Sequence, residues 1–244
     1  MLDAIYPASD ATPLHEDRWS RVSVVLKGKL KETACRKEEI AQVGSMVLKP
    51  GDMLHTNTFG TPVTRIISVA LRPGYLARML GKGIDDWQWR HNWPSAKVAL
   101  GFAQQVIKTE SEEEVLENLI ELFASLAEKE VDSDKFIPPW VKWVAEHIAD
   151  EYDQPLQTRQ LAEAVGAHPV YLARVFRRAF GCSVKTYLQQ QRVERVVQDI
   201  SEGGKPLSQV AFDHGFADQS HLNRVFKQHL SFSPGAFRKW IDSY

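Results

Sequence analysis

Leu172-Ala173-Arg174-Val175-Phe176-Arg177-Arg178 and Leu222-Asn223-Arg224-Val225-Phe226-Lys227-Gln228 are two versions of one pattern, Leu-x-Arg-Val-Phe followed by a base. In a helix the Leu and Phe of each copy are i, i+4 neighbours that share one face. The positions left outward are Val170, Ala173, Arg174, Arg177 and Arg178 in the first copy, and Gln219, Ser220, Asn223, Arg224 and Lys227 in the second. Tyr171–Phe180 holds three Arg and no acid, and Ser220–His229 holds Arg224 and Lys227, again without an acid. A run of bases is ordinarily a solvated face. Here the bases recur at matching positions beside Gln and Asn, a combination with a specific chemistry. An Arg fork fits guanine O6 and N7, Gln or Asn fits adenine, and Lys or a second Arg holds phosphate. The residues are suited to reading double-stranded DNA through the major groove.

The preceding residues supply what such helices need for positioning. Leu161-Ala162-Glu163-Ala164-Val165-Gly166 precedes the first copy and Val210-Ala211-Phe212-Asp213-His214-Gly215 the second. In each, a small Ala lets two helices approach, and a Gly four residues later supplies the left-handed residue that ends the first helix. The unit is a helix-turn-helix, present twice. Amphipathic periodicity places helices near 158–165, 169–180, 184–201, 207–214, 219–229 and 234–241. Another carries Trp140, Trp143, Val144, His147 and Ile148 on one face.

Residues 140–241 resemble the double helix-turn-helix DNA-binding domain of the AraC/XylS family of transcription regulators. The matching text is Leu-Ala-x-x-x-Gly, Tyr-Leu-x-Arg-x-Phe-Arg-Arg-x-Phe-Gly, Val-Ala-x-x-x-Gly-Phe-x-Asp-Gln-Ser-x-Leu-x-Arg-x-Phe-Lys and Ser-Pro-x-x-Phe-Arg, ending at Arg238. His168 departs from the family's usual Ser N-cap, with Pro169 at N1 as partial compensation; Ser231 stands where Gly181 stands in the first copy, and Val196 replaces an Ala. The resemblance implies that a connecting helix, Val184 to Ile200, holds the two readers roughly 34 Å apart, in successive major grooves. It also implies a homodimer, an unidentified small-molecule effector, promoter DNA as the target, and contact with RNA polymerase if the protein is an activator. The base readers would be Val170, Ala173 and Arg174 in one helix and Gln219, Ser220, Asn223 and Arg224 in the other. Val170 and Ala173 offer only apolar contact, so the first reader is the poorer in hydrogen-bonding specificity.

The N-terminal part follows another period. Runs such as Val22-Ser23-Val24-Val25-Leu26 and Arg65-Ile66-Ile67-Ser68-Val69-Ala70-Leu71 alternate between Gly and Pro turns, which predicts a small antiparallel sheet or barrel. Two helices follow, roughly Ser95 to Thr109 and from Ser111, where Glu114 would complete a capping box. Val115, Leu119, Leu122 and Leu126, widened by Leu116, Ile120 and Phe123, form a stripe that is either internal core or a dimer seam. A polar stretch, Glu128 to Lys135, leads to Pro138-Pro139, read as non-helical and as the domain boundary. Gly44 to Asn57 resembles the second cupin motif, with His55 able to face a barrel interior and His15 marking the first motif. There is no His-x-His, and Arg21 falls roughly where that family places a Glu, so no bound metal is expected. His15, His55, Trp87 and Trp89 are the candidate ligand residues; for the Trp-rich stretch through Trp93, aromatic anchoring against the barrel is the simpler reading.

Composition bounds the rest. The chain has 244 residues, 30 Lys+Arg against 31 Asp+Glu, 43% apolar residues and a formal charge of -1, as an ordinary globular protein of one or two domains does. No apolar run approaches the roughly 18–20 residues of a membrane span, and Met1 to Asp10 lacks a basic, then apolar, leader. A cytoplasmic protein with no membrane partner is expected. Cys35 and Cys182 stand 147 positions apart with no CxxC, against a disulfide framework or zinc site. From 137 onward 13 bases meet 11 acids, a net of +2, while residues 1–136 hold 17 and 20, a net of -3. That excludes a polycation coating DNA indiscriminately, but not a reader with few, placed charges.

The expected architecture is multidomain α+β: a small cupin-like β-barrel sensor (1–94), a helical pair as candidate dimerisation element (95–130), a linker (131–139), and an all-α double helix-turn-helix domain of about seven helices (140–244). The expected function is an effector-responsive, sequence-specific transcription regulator with no cofactor and no catalysis. No GxSxG, HExxH or phosphate loop is present; Gly203-Gly204-Lys205-Pro206 reads as a loop before a helix. The competing reading is a cupin-type metal enzyme or small-molecule-binding protein whose helical domain serves only for interaction.

Overall fold

A computed structural model describes residues 2–34, 37–61, 63–75, 87–91, 93–109, 111–127 and 137–243. The chain divides into two compact units, Met1–Val131 and Asp132–Asp242. Cys35, the polar stretch at 128–135, the linker residues 131–136 and the side chains of Trp93 and Leu126 lie outside the described residues.

The first unit holds strands β1 (Leu2–Pro7), β2 (Ala11–Asp17), β3 (Ser20–Lys27), β4 (Lys29–Ala34), β5 (Lys37–Gln42), β6 (Met46–Lys49), β7 (Met53–Phe59), β8 (Val63–Leu71) and β9 (Gln88–Arg90). They pair antiparallel into two sheets, ordered β1-β8-β3-β6-β9 and β2-β7-β4-β5. No ladder joins the sheets among the described residues, which corrects the expected closed barrel to two open layers. The reason is physical: period-two patterning fixes which face of a strand is buried, not whether the first and last strands meet. Gly28 is the corner where the chain leaves one sheet for the other. Its φ of +73° and the approach of the Val63 carbonyl leave no room for a side chain.

From Val22 to Leu26 β3 is buried at every position rather than at alternate ones. It lies within its sheet, and helix α1 (Trp93–Lys108) packs against it. That helix begins two residues before the expected Ser95 and buries Ala96, Ala99, Leu100, Phe102, Ala103 and Val106. The following α2 (Glu112–Ala127) packs on α1, its start capped by Ser111 Oγ, which accepts the Glu113 N–H at 3.2 Å. Its stripe divides: Leu119, Leu122 and Phe123 are core, while Ile120 is 55% exposed.

The second unit is all-helical: α3 (Pro139–Asp150), α4 (Thr158–Ala164), α5 (Pro169–Phe180), α6 (Val184–Glu202), α7 (Leu207–Asp213), α8 (Gln219–Leu230) and α9 (Pro234–Ile241). Pro139 is the first residue of α3, a correction to the non-helical reading of the proline pair, because at N1 the missing N–H has no partner to lose. The buried side of α3 is Val141, Val144, Ala145 and Ile148, with Trp143 exposed and stacked on His147 at 5.0 Å. Those residues pack with Leu161, Ala162, Leu172, Phe176 and Val184 in one cluster. In the second repeat Val193, Val196, Val197, Ile200, Val210, Ala211, Leu222, Val225, Phe226 and Phe237 are buried. Val196 therefore fills core space without breaking α6, whose 19 residues span roughly 28 Å.

Candidate nucleic-acid interface

Each repeat sets its second helix by the same local devices. Ala162 and Ala211 have no exposed surface, and Gly166 and Gly215 take φ of +64° and +71° at the turn. The first reader, α5, is capped by His168, whose Nδ1 accepts the Val170 N–H at 3.3 Å, with Pro169 at N1. The imidazole thus does supply a cap, though a long one. The second, α8, is capped by Asp218, whose Oδ1 accepts the His221 N–H at 2.7 Å. At the far ends Gly181 and Ser231 both take left-handed φ, +70° and +69°. For Ser231 that conformation costs on the order of 1–2 kcal/mol.

Leu172, Phe176, Leu222 and Phe226 are fully buried and seat the two helices. The opposite side of α5 exposes Val170, Ala173, Arg174, Arg177 and Arg178. On α8, Gln219, Ser220, Arg224 and Lys227 are exposed and Asn223 is half-buried. Among the described residues no carboxylate pairs with these five cations; Arg174 lies 5.5 Å from the Tyr171 ring centre. The guanidinium and ammonium groups are thus open to an outside anion or base edge.

Sequence reasoning missed Arg192. From α6 its Nε donates to the Tyr152 carbonyl at 2.7 Å, Nη2 to that of Gln154 at 2.9 Å, and Nη1 to that of Gly215. One side chain therefore ties the connecting helix, the α3–α4 loop and the turn of the second repeat. Gly215 belongs to the same joint, since a Cβ there would strike the Asp153 carbonyl, whereas Gly166 faces open space. Beside it His214 bonds Asp199 at 2.9 Å and the Tyr152 hydroxyl at 3.3 Å. Lys205 bridges Asp199 and Asp213, each at 3.0 Å, which gives the Gly203-Gly204-Lys205 loop a structural use. Nothing local in the sequence marks three carbonyls converging on one guanidinium.

The candidate ligand residues of the first unit gather around a buried ion pair. His15 and His55 stand opposite on β2 and β7 with ring centres 4.2 Å apart. His15 Nδ1 donates to the Pro13 carbonyl at 2.8 Å. His55 Nδ1 donates to the Met53 carbonyl at 2.9 Å, and Nε2 accepts from Lys49 Nζ at 2.9 Å. Burial, then the Lys49 ammonium, holds the His55 pKa below the usual histidine range, which fits a neutral ring accepting that bond. Lys49 also meets Glu32 Oε1 at 3.0 Å and Asp17 Oδ2 at 3.3 Å, while Glu32 Oε2 accepts both indole N–H groups, Trp87 at 2.9 Å and Trp89 at 3.0 Å. The two Trp residues orient Glu32 rather than lining an open face with their polar edges. Glu32, Lys49 and Asp17 were not singled out in the sequence, because a charged residue in a strand reads as outward.

The ammonium fills the space on which Asp17, Glu32 and His55 converge. Among the described residues no group of three or more His, Cys, Asp or Glu could hold a metal ion. Cys182 is half-buried, and burial pushes its thiol pKa up. Among those residues no helix is long and apolar enough to cross a membrane.

A helix-turn-helix domain family matches residues 161–239. The multiple antibiotic resistance protein MarA of Escherichia coli K12 is 26% identical over 95 residues, 39% of this chain and 75% of that protein. The arabinose operon regulatory protein of Salmonella typhimurium is 30% identical over 97 residues, 40% of this chain and 34% of its own. Among solved structures, ToxT of Vibrio cholerae with unsaturated fatty acid bound aligns over 100% of this chain and 96% of its own, at 12% identity and a TM-score of 0.40. The C-terminal domain of AraT from Geobacillus stearothermophilus aligns over 43% and 88%, at 24% and 0.42. A duplicated helix-turn-helix with two basic reader helices defines a DNA-binding transcription regulator. Over that region the chain is similar to transcription regulators, MarA and the arabinose operon regulatory protein among them.

Proposed function

We propose that α5 and α8 enter successive major grooves of one promoter site, so that a single subunit reads an asymmetric sequence. The observation that carries this is the pair of matched helices, each seated by a buried Leu and Phe and each presenting Arg, with no carboxylate partner among the described residues, on the exposed side. Arg174 and Arg224 take base edges with Gln219, Ser220 and Asn223; Val170 and Ala173 make apolar contact; Arg177, Arg178 and Lys227 hold phosphate. The domain acts in the cytoplasm. RNA polymerase is a further partner if the protein activates.

Residues 1–94 act as a cupin-like sensor of a small molecule, 95–130 as the dimer contact and 131–139 as the linker to 140–244. The exposed Ile120 on α2 and the polar cavity between the two sheets support those roles. The matched relatives are transcription regulators, and no observation favours an enzyme.

Selection of bound DNA from a random library tests the reading: a recovered site near 20 base pairs without internal symmetry for one subunit supports it, and a short single-groove site contradicts it. On the selected site Arg174→Ala and Arg224→Ala each lose about 1–3 kcal/mol and little on random DNA. Equal losses on both DNAs would reassign those side chains to phosphate.

A further inference from the structure

The two reader helices leave one cation-lined surface of their unit without a role. An open groove of about 760 Å³ lies between elements of both repeats: α6 and α8 line it, together with Pro155 to Thr158, which lead into α4. Its lining carries Lys185, Arg192 and Arg224 and no carboxylate. His221 lines the same groove and registers that charge. After burial, Arg224, Arg192 and Lys185 hold its pKa below the usual histidine value, with Asp218 opposing. Lys185 and Arg224 thus act on one point, although they stand on different helices.

The three cations are not equally free. Arg192 is spent on the carbonyls of Tyr152, Gln154 and Gly215, and Arg224 is assigned to a base edge in the proposed contacts. Lys185 is exposed and has no ion-pair partner among the described residues. It stands one turn before Gln189, which lines the same groove. A free cation in a groove without acids favours an anion, and its position selects which one. A duplex that takes α5 and α8 into successive major grooves turns its minor groove, edged by two phosphate strands, toward the protein between them. The surface those strands meet is the groove between the repeats. An ammonium there suits phosphate as a point charge, and Gln189 adds an amide donor.

We infer that Lys185, with Gln189 beside it, holds a DNA backbone phosphate at the lip of the minor groove midway between the two readers. The connecting helix is then a third DNA contact, one that reads no base; it rests on the two-groove reading above. The test uses the full chain and its selected site, with single backbone phosphates replaced by uncharged methylphosphonates. One or two central replacements are expected to cost the wild type about fivefold in affinity and to cost Lys185→Ala nothing. Lys185→Ala itself should lose about fivefold alike on selected and random DNA, with the slope of log affinity against log salt reduced by about 0.9. Lys185→Arg should restore both. Before DNA is added, NMR titration of Lys185→Ala should show the His221 pKa raised, which supports the shared groove and a folded variant together. An unchanged His221 pKa, a loss on the selected site alone, an unchanged salt slope, or equal methylphosphonate costs in wild type and Lys185→Ala would each overturn the contact. The two readings fail differently. If the wild type selects a site spanning two grooves and Lys185 is silent, the phosphate contact alone is overturned; if it selects a single-groove site, the two-groove reading falls and takes this contact with it.

Discussion

The two helix-turn-helix repeats share a skeleton and differ in how firmly it is held. In the first, the reader begins on a 3.3 Å cap from His168, and the Gly166 turn faces open space. In the second, the cap from Asp218 is 2.7 Å, Gly215 closes against Asp153, and Arg192 fixes the turn through its carbonyl. The outward faces differ in the same sense. α5 offers three Arg with Val170 and Ala173, whereas α8 offers Gln219, Ser220, Asn223 and one Arg. Hydrogen-bonded base readout depends on side chains held to a fraction of an ångström, while phosphate attraction tolerates motion. Under the proposed DNA contacts, that difference predicts most sequence discrimination from the second repeat and a large share of the electrostatic affinity from the first.

The largest expected contrast lies in the turn glycines. Gly166→Ala costs about 1–2 kcal/mol, for the left-handed backbone alone; Gly215→Ala costs at least about twice that, because its Cβ also meets the Asp153 carbonyl. Denaturant unfolding of the full chain, followed through the second unit's transition, measures both, and equal losses would remove the asymmetry. Next is Arg192→Ala, which removes three hydrogen bonds to backbone carbonyls and is expected to cost about 2–3 kcal/mol. It should also flatten the protein's discrimination between sites whose half-sites are shifted by one base pair, a readout that a loss of stability alone does not move.

A smaller effect runs the other way. Ser231→Gly relieves the left-handed strain at the end of α8 and is expected to stabilise by about 1 kcal/mol, whereas Gly181→Ser at the matching position of α5 destabilises by a similar amount. The smallest concerns pH. His221 corresponds to Tyr171, and burial, then Arg224, Arg192 and Lys185, hold its pKa below the usual value, with Asp218 opposing. The folded state then binds fewer protons than the unfolded one as pH falls through about 6.5. Stability from His221 is therefore present above that pH and is lost below it. Unfolding at pH 7.5 and 5.5, in wild type and His221→Gln, should show a smaller acid loss in the variant.

Local signals explain what the sequence made legible. The helices from α4 to α9 fall within about a residue of their expected limits, because caps, turn glycines and 3.6-residue periodicity act over neighbouring positions. The outward positions of α5 and α8 follow from the same periodicity, with Asn223 only half-exposed. What stayed hidden is non-local. Whether β1 and β9 meet other strands, which carbonyls reach Arg192, and that Glu32 and Lys49 bury each other all depend on residues far apart in the chain. Pro139 was misread for a different reason: the proline signal is the same at the start of a helix as at a break.

The most direct test of the division between readers is the affinity of the full chain for its selected site with each base pair substituted in turn, at fixed salt. Substitutions in the groove occupied by α8 are predicted to cost about 1–3 kcal/mol each, and those under α5 clearly less. Uniform costs across both grooves, or larger costs under α5, would contradict the account.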